Sequence, residues 1–343
     1  MNIQPTIIIL IGITGDLSKR KLLPAIESLR NKGVLPEQFE LVGVTRSENS
    51  QGYFQMDLEN PEDYQRLAQH LEAIETMWGV SAQRLFYLSV APTVSNPIIA
   101  HLETSGLASV ANTKLLLEKP FALDIGTAFS EENIYRIDHY LAKTSVRTLP
   151  VLDLSHVERI EVEAVEAIGI EGRGHFYEQT GALRDFVQSH LLEVAAQAIL
   201  PANRPEALRE FSETIGVRRG QYNGYREAVQ NPESNTETFV SILLQSTGPS
   251  FKGEVLLKTG KAMDAKRTNI SVFYTDGASQ VFSLHDTDNA YEKVFIEAMQ
   301  GKKEFFIVQE EVAETIRIVQ PIEEAWAKDS EDLFFYEQGT DSK

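Results

Sequence analysis

Apolar and polar positions follow two different rhythms along this chain. Thr6–Gly12 is an unbroken apolar run ending in glycine, the pattern of a central strand in a parallel sheet. Leu17–Asn31 places Leu22, Leu23, Ile26 and Leu29 at helical spacing and stops before Gly33. Glu40–Val44 reads as a second strand. Pro61 opens a helix through Tyr64, Leu67 and Leu71. Arg84–Val90 predicts a third strand, Asn96–Leu102 a helix and Lys114–Glu118 a fourth strand. Strand and helix alternating in this way predict a doubly wound α/β sheet.

The rhythm changes after Asp138. Val157–Ala167 partly alternates, with Ile160, Val162 and Ala164 against Glu161 and Glu163, so one face is wetter. Asn235–Ser246, Glu254–Thr259, Thr268–Thr275 and Ser279–Leu284 predict four more strands in close succession. Helices are predicted over Phe176–Ile199, Asp288–Met299 and Gln309–Ala327, and the tail after Phe335 is expected to fray. Strands joined by short links imply an α+β domain with a mostly antiparallel sheet. The division falls at Asp138, giving domains of residues 1–138 and 139–343. A chain of 343 residues has room for two cores.

Composition narrows the chemistry. There is no cysteine, which removes disulfides, thiolate metal sites and cysteine nucleophiles. No apolar run reaches the length of a membrane span, and the N-terminal run lacks a basic flank, so a cytoplasmic protein with no membrane partner is expected. Lys plus Arg is 32 against 50 for Asp plus Glu, a net charge of −18 that disfavours nucleic acid. An anionic small molecule would therefore need lysines concentrated at its own site, because the long-range field is screened beyond about 8–10 Å.

Gly12-Ile13-Thr14-Gly15-Asp16-Leu17 lies where the first strand turns into the first helix. Small residues there let the backbone approach a pyrophosphate at a helix N-terminus. The spacing is not G-x-G-x-x-G, and a plain tight turn fits it equally well. Arg46 follows the second strand, where an NAD site usually carries an acid for the ribose 2′-hydroxyl. A guanidinium there suits a 2′-phosphate, and hence NADP; a solvated surface arginine is the competing reading.

Two clusters carry further functional side chains. Arg136-Ile137-Asp138-His139-Tyr140-Leu141-Ala142-Lys143 can supply a carboxylate and partners for a phosphate. Arg184-Asp185-Phe186-Val187-Gln188-Ser189-His190 falls in a predicted helix, where Asp185 and His190 would be offset by about 140° around an ideal α-helix. Spacing alone does not bring the two clusters together.

These blocks, with Gly15-Asp16-Leu17, Glu118-Lys119-Pro120-Phe121 and Glu171-Gly172-Arg173-Gly174, resemble the ordered signatures of glucose-6-phosphate dehydrogenases. Asn235–Phe239, Thr259-Gly260-Lys261 and Ala290-Tyr291-Glu292 follow in the same order, so the resemblance runs from residue 7 to about 327. It implies a Rossmann-like NADP-binding domain followed by a substrate-binding and dimerisation domain. It also implies a homodimer, no metal, and oxidation of D-glucose 6-phosphate at C1. His190 would be the general base and Asp138 the carboxylate that orients it. His139, Tyr140 and Lys143 would hold the sugar phosphate, while Glu166 and Asp185 would accept hydrogen bonds from sugar hydroxyls. Lys119 would serve both cofactor and substrate, and Lys261 and Lys266 would close the sugar site. Gly12, Thr14, Gly15, Asp16, Leu17, Arg46, Pro92 and Lys119 would bind the cofactor.

The pattern also departs from the family. The chain is shorter than usual, a helix is missing between Asp124 and Glu131, and the segment after Leu149 is reduced to Val151–Val157. Leu-Pro-Pro reads Val90-Ala91-Pro92, Ala142 replaces a glycine and Ser189 an asparagine. Two other readings stand beside the main one: a non-catalytic relative that binds NADP or a sugar phosphate, and the same chemistry on another phosphorylated aldose. For single residues the competing roles are structural. Glu166 can be a wet-face carboxylate, Lys266 part of a solvated turn, and His175 a packing or surface residue.

Overall fold

The structure, a computed structural model, describes residues 3–47, 52–121, 123, 125–286, 289–328 and 332–341. Along them run β1 (Thr6–Ile11), β2 (Phe39–Thr45), β3 (Phe54–Gln55), β4 (Gln83–Leu88), β5 (Thr113–Glu118) and β6 (Ile134–Ile137). Then come β7 (Val157–Val165), β8 (Phe211–Tyr222), β9 (Phe239–Thr247), β10 (Lys252–Gly260), β11 (Arg267–Tyr274) and β12 (Ser279–Ser283), followed by β13 (Phe306–Ile307) and β14 (Leu333–Tyr336). The chain forms two compact units, residues 1–142 with 288–309 and residues 143–287 with 310–343.

The first unit is Rossmann-like. Its sheet runs β3-β2-β1-β4-β5-β6-β13, parallel throughout except where β13 meets β6. The apolar run of β1 explains its central place, because alternate residues feed two cores. Ile7, Ile9 and Ile11 pack with Val42, Phe86, Tyr64, Leu67 and Leu102. Ile8 and Leu10 pack with Leu85, Tyr87, Leu22, Leu29 and Phe295 on the other face. Each such side chain contributes roughly 1.5–3 kcal/mol on burial. The helix Pro61–Trp78 starts where Asn60 accepts the Glu62 N–H and ends at Gly79, whose φ is 69°.

Residues 139–142 and 288–309, which the sequence division assigns to the second domain, fold with the first unit. The return segment is tied down by polar groups that periodicity cannot reveal. Lys114, buried on β5, donates to Ala298 O at 2.6 Å and to Gln83 Oε1 at 2.9 Å. Gln83 donates in turn to Met299 O at 3.0 Å. The last turn of the helix Ala290–Gln300 is thus capped by an ammonium and an amide. Burial lowers the Lys114 pKa to about 8.

The second unit carries the sheet β12-β11-β7-β10-β9-β8-β14. Pairing is antiparallel except between β7 and β10 and between β8 and β14. Strand β8 has no counterpart in the predicted elements. Its residues lack a clean alternation, and its register against β9 shifts twice. Among the described residues, the tail after Phe335 is held in place through Gly339, whose N–H donates to Ala262 O at 2.8 Å. Tyr336 ends β14, is buried, and donates to Lys261 O at 2.8 Å.

The predicted helix Phe176–Ile199 is three pieces: Gly174–Ala182, a π-helix over Leu183–Leu191, and Leu192–Ile199. The break is at Gly181, whose φ of 59° and ψ of −177° are accessible only to glycine. The predicted strand Asn235–Ser246 begins later, at Phe239; before it the Thr236 N–H bonds to Ser234 Oγ and the Thr236 carbonyl accepts from the Gln221 side chain.

Candidate active site

At the C-terminal end of β1 the chain turns through Gly12–Leu17, at the point where β2 and β4 diverge from β1. Gly12 has φ 89°, and a Cβ there would overlap the carbonyl of Ser89. The turn is fixed by Gly12 and Ile13 N–H groups donating to Val44 O at 3.2 and 3.3 Å, and by Gly15 N–H donating to Gly12 O at 2.9 Å. Ser18 Oγ donates to Gly12 O and is hydrogen-bonded to Ser89 Oγ. A glycine forced by close backbone approach, at the switch point of a doubly wound sheet, fits a dinucleotide phosphate site. Thr14 and Asp16 are exposed and Leu17 half-buried, and Asp16 pairs with Arg20 at 3.4 Å. Arg46 is exposed directly after β2. Pro92 opens the helix Pro92–Thr104 after β4; its side chain lies outside the described residues.

Lys119 and Pro120 follow β5 and are joined by a cis peptide bond. Beside them stands a cluster absent from the sequence reading. The Glu118 carboxyl accepts from Tyr87 on β4 and is hydrogen-bonded to Tyr291. Burial lifts Glu118 to about 7; the two tyrosines and Lys119 oppose the rise, while Asp138 adds to it. Asp138 follows β6 and is buried. Its Oδ1 accepts from the N–H groups of Tyr140 at 2.6 Å and Leu141 at 3.3 Å. Burial raises its pKa, against the pull of His139, those two N–H groups and Lys119. His139 is half-buried, its ring 5.1 Å from that of the buried Tyr140.

In the second unit Lys143 is half-buried and donates to Leu284 O at 3.3 Å. The Asp286 carboxylate accepts from the next two N–H groups, Thr144 and Ser145. Asp286 was not among the expected site residues, since no local spacing links positions 142 apart. The Lys261 ammonium is bonded to Glu166, which stands just past the end of β7. It also lies 5.8 Å from the Tyr177 ring and 5.6 Å from the Phe186 ring. Asp185 is half-buried near Tyr177, whose hydroxyl is pushed well above its usual pKa by burial and then by the charges of Asp185 and Glu237. Lys261, with Glu166 bonded to it, and Asp185 therefore both lie near Tyr177. Lys266 is exposed just before β11, beside Arg267, which pairs with Glu163 and Asp264.

His190 is buried in the π-helix, its ring 5.5 Å from that of Phe186. The expected 140° offset from Asp185 does not hold, because it assumed α-helical winding. Here Leu192 N–H bonds to Val187 O, five residues back, and Ser189 Oγ bonds to Arg184 O. In a π-helix residues i and i+5 are bonded neighbours along the backbone.

Residues 9–55 and 49–148 match the model of the glucose-6-phosphate dehydrogenase NAD binding domain, and residues 147–289 and 278–342 match that of the C-terminal domain. The chain belongs to the glucose-6-phosphate dehydrogenase family. Its membership brings with it a nicotinamide-binding first domain. A glucose-6-phosphate 1-dehydrogenase of Bacillus subtilis is 31% identical over 355 residues, covering 80% of this chain and 72% of the relative. The cytoplasmic glucose-6-phosphate 1-dehydrogenase 6 of Arabidopsis thaliana is 28% identical, covering 88% and 70%. The fold is shared with a solved glucose-6-phosphate dehydrogenase in complex with its substrate glucose-6-phosphate, at a TM-score of 0.87 and 21% identity, covering 100% of this chain and 97% of that one. Among the described residues no helix is long and apolar enough to cross a membrane.

Proposed function

We propose that this protein oxidises D-glucose 6-phosphate at C1 to 6-phosphoglucono-1,5-lactone, reducing NADP⁺, the entry step of the oxidative pentose phosphate route. The reading is carried by the match of both family domains from residue 9 to residue 342. It is supported by the Arg136–Lys143 block, which follows the family pattern except at Ala142.

In this reading the bound nicotinamide supplies a hydride acceptor. The residues of this chain bind, orient and move one proton. His190 takes the proton of the C1 hydroxyl as the hydride leaves C1, and Asp138 steers the imidazole and stabilises its charged form. His139, Tyr140 and Lys143 hold the phosphate, Lys266 joins Lys261 in closing the sugar site, and these lysines supply the local positive charge that a chain of net charge −18 needs around an anion. Glu166, Asp185 and Lys261 bind the sugar, and Lys119 serves sugar and cofactor together. Gly12, Thr14, Gly15, Asp16 and Leu17 cradle the pyrophosphate, Pro92 borders the cofactor, and Arg46 meets the 2′-phosphate.

The functional division at Asp138 is proposed to separate cofactor from substrate duties. The protein is proposed to act in the cytoplasm as a homodimer formed through the second-unit sheet, checked by size-exclusion chromatography with light scattering. The deciding experiment is NADPH formation, followed by absorbance, across a panel of sugar phosphates. Preferred turnover of glucose 6-phosphate supports the reading. Preference for another aldose phosphate moves the substrate, and binding without turnover on any of them makes the protein a non-catalytic relative.

A further inference from the structure

The block Asn235–Phe239 has no part in the reaction described above, yet one of its side chains reaches the helix that carries Asp185 and His190. That helix, Leu183–Leu191, has no side-chain cap of its own: its N-cap position is Ala182. Its first amides would be left without partners, a cost of about 1–3 kcal/mol for each if buried. Glu237 takes the amide of the N-cap residue and the first amide of the helix. Its backbone carbonyl accepts from Ala182 N–H at 3.0 Å, and its carboxylate Oε1 accepts from Leu183 N–H at 2.9 Å.

The fit is specific to the residue opposite. A Cβ on Gly181 would overlap the Glu237 carboxylate, and the Gly181 backbone conformation excludes other residues independently. Gly181 thus bends the chain and makes room for the cap in one position. The neighbouring Thr238 extends the tie: its carbonyl accepts from Lys261 N–H at 2.9 Å, and its hydroxyl bonds to Tyr336 Oη at 2.9 Å. Tyr336 in turn donates to Lys261 O at 2.8 Å. Two successive residues therefore hold the start of the His190 helix and the backbone of Lys261. Glu237 is buried, which lifts its carboxyl to about 7 against the Leu183 N–H bond and Arg219.

We propose that Glu237 is a positioning residue for the reaction: with Gly181 it fixes the start of the π-helix, and so the placement of Asp185 and His190. The proposal rests on the dehydrogenase reading of the preceding subsection. What matters in it is the reach of the Glu237 side chain to Leu183, and its charge is secondary.

Glu237→Gln and Glu237→Asp separate these two properties. The glutamine keeps the length and the accepting oxygen without the charge, while the aspartate keeps the charge and is one methylene short. Glu237→Asp is expected to lower kcat with glucose 6-phosphate about ten- to a hundredfold, the scale of a displacement near 1 Å. Its KM for NADP⁺ should stay unchanged, because the cofactor turn belongs to the first unit. Glu237→Gln should restore kcat to within about threefold of the parent, the span left by exchanging one hydrogen-bond acceptor for another. The reverse order, with aspartate active and glutamine not, overturns the proposal, as does wild-type kcat in both. Amide hydrogen exchange at Ala182 and Leu183 gives a readout that needs no turnover. Faster exchange in Glu237→Asp supports the clamp, and unchanged exchange overturns it, even in a chain that oxidises no sugar phosphate.

Discussion

Lys261 and Glu166, both expected to touch the sugar, are bonded to each other. The ammonium is nearly inaccessible, with 5% of its side chain exposed, against 26% for the carboxylate. A buried ammonium stripped of its counter-ion is penalised more than a half-exposed carboxylate left to water. Glu166→Gln should therefore destabilise the fold by about 1–3 kcal/mol, between the exposed and buried limits for ion pairs. Lys261→Met should cost less stability and raise the KM for glucose 6-phosphate. Thermal unfolding and steady-state kinetics check both, and an unchanged sugar-phosphate KM in Lys261→Met would remove Lys261 from the substrate site.

His190→Asn should abolish turnover while leaving NADP⁺ affinity near the parent value, since asparagine cannot accept the proton at neutral pH. Fluorescence titration of NADP⁺ alongside a turnover assay makes the comparison. Residual activity close to that of the parent would take the base role away from His190.

Arg46→Ala should weaken NADP⁺ more than NAD⁺, by about tenfold or more, as expected for losing a charge-assisted contact to a phosphate. The quantity to measure is the ratio of kcat/KM values for the two cofactors. A ratio that does not move would leave Arg46 as a surface residue.

Glu118 predicts a pH dependence of stability. Its carboxyl is raised from 4.5 to about 7 in the folded protein, chiefly by burial. The unfolded chain therefore loses this proton at lower pH than the folded chain does. The stabilisation is complete below about 4.5 and is lost as the pH rises through about 7. Glu118→Gln cannot titrate, so its unfolding temperature should fall less than that of the parent between those pH values. Parallel curves for the two proteins would show that Glu118 does not titrate in this range.

Much of the first unit was legible because its strands are buried on both faces. The run Thr6–Gly12 fitted a buried strand better than a membrane segment, and the helix opening at Pro61 announced itself through that proline and its periodicity. Strand β8 left no such trace: Ser212, Glu213 and Arg218 interrupt its apolar positions, and it is a strand because β9 and β14 pair with it. The frayed tail failed as an expectation for the same reason. Tyr336 is fixed by Thr238 and Lys261, partners that no local pattern in the tail could name.

Composition and motif order, properties of the chain as a string, determined the family, the two-part architecture and the residue types available for proton transfer and phosphate binding. Only the tertiary structure decided that Lys261 faces Glu166, that Asp286 holds the chain after Lys143, and that His190 rides a π-helix begun by Glu237. Periodicity records which face of an element is dry, whereas a hydrogen bond between residues far apart in sequence depends on where two elements meet. That meeting is set by the packing of the whole unit.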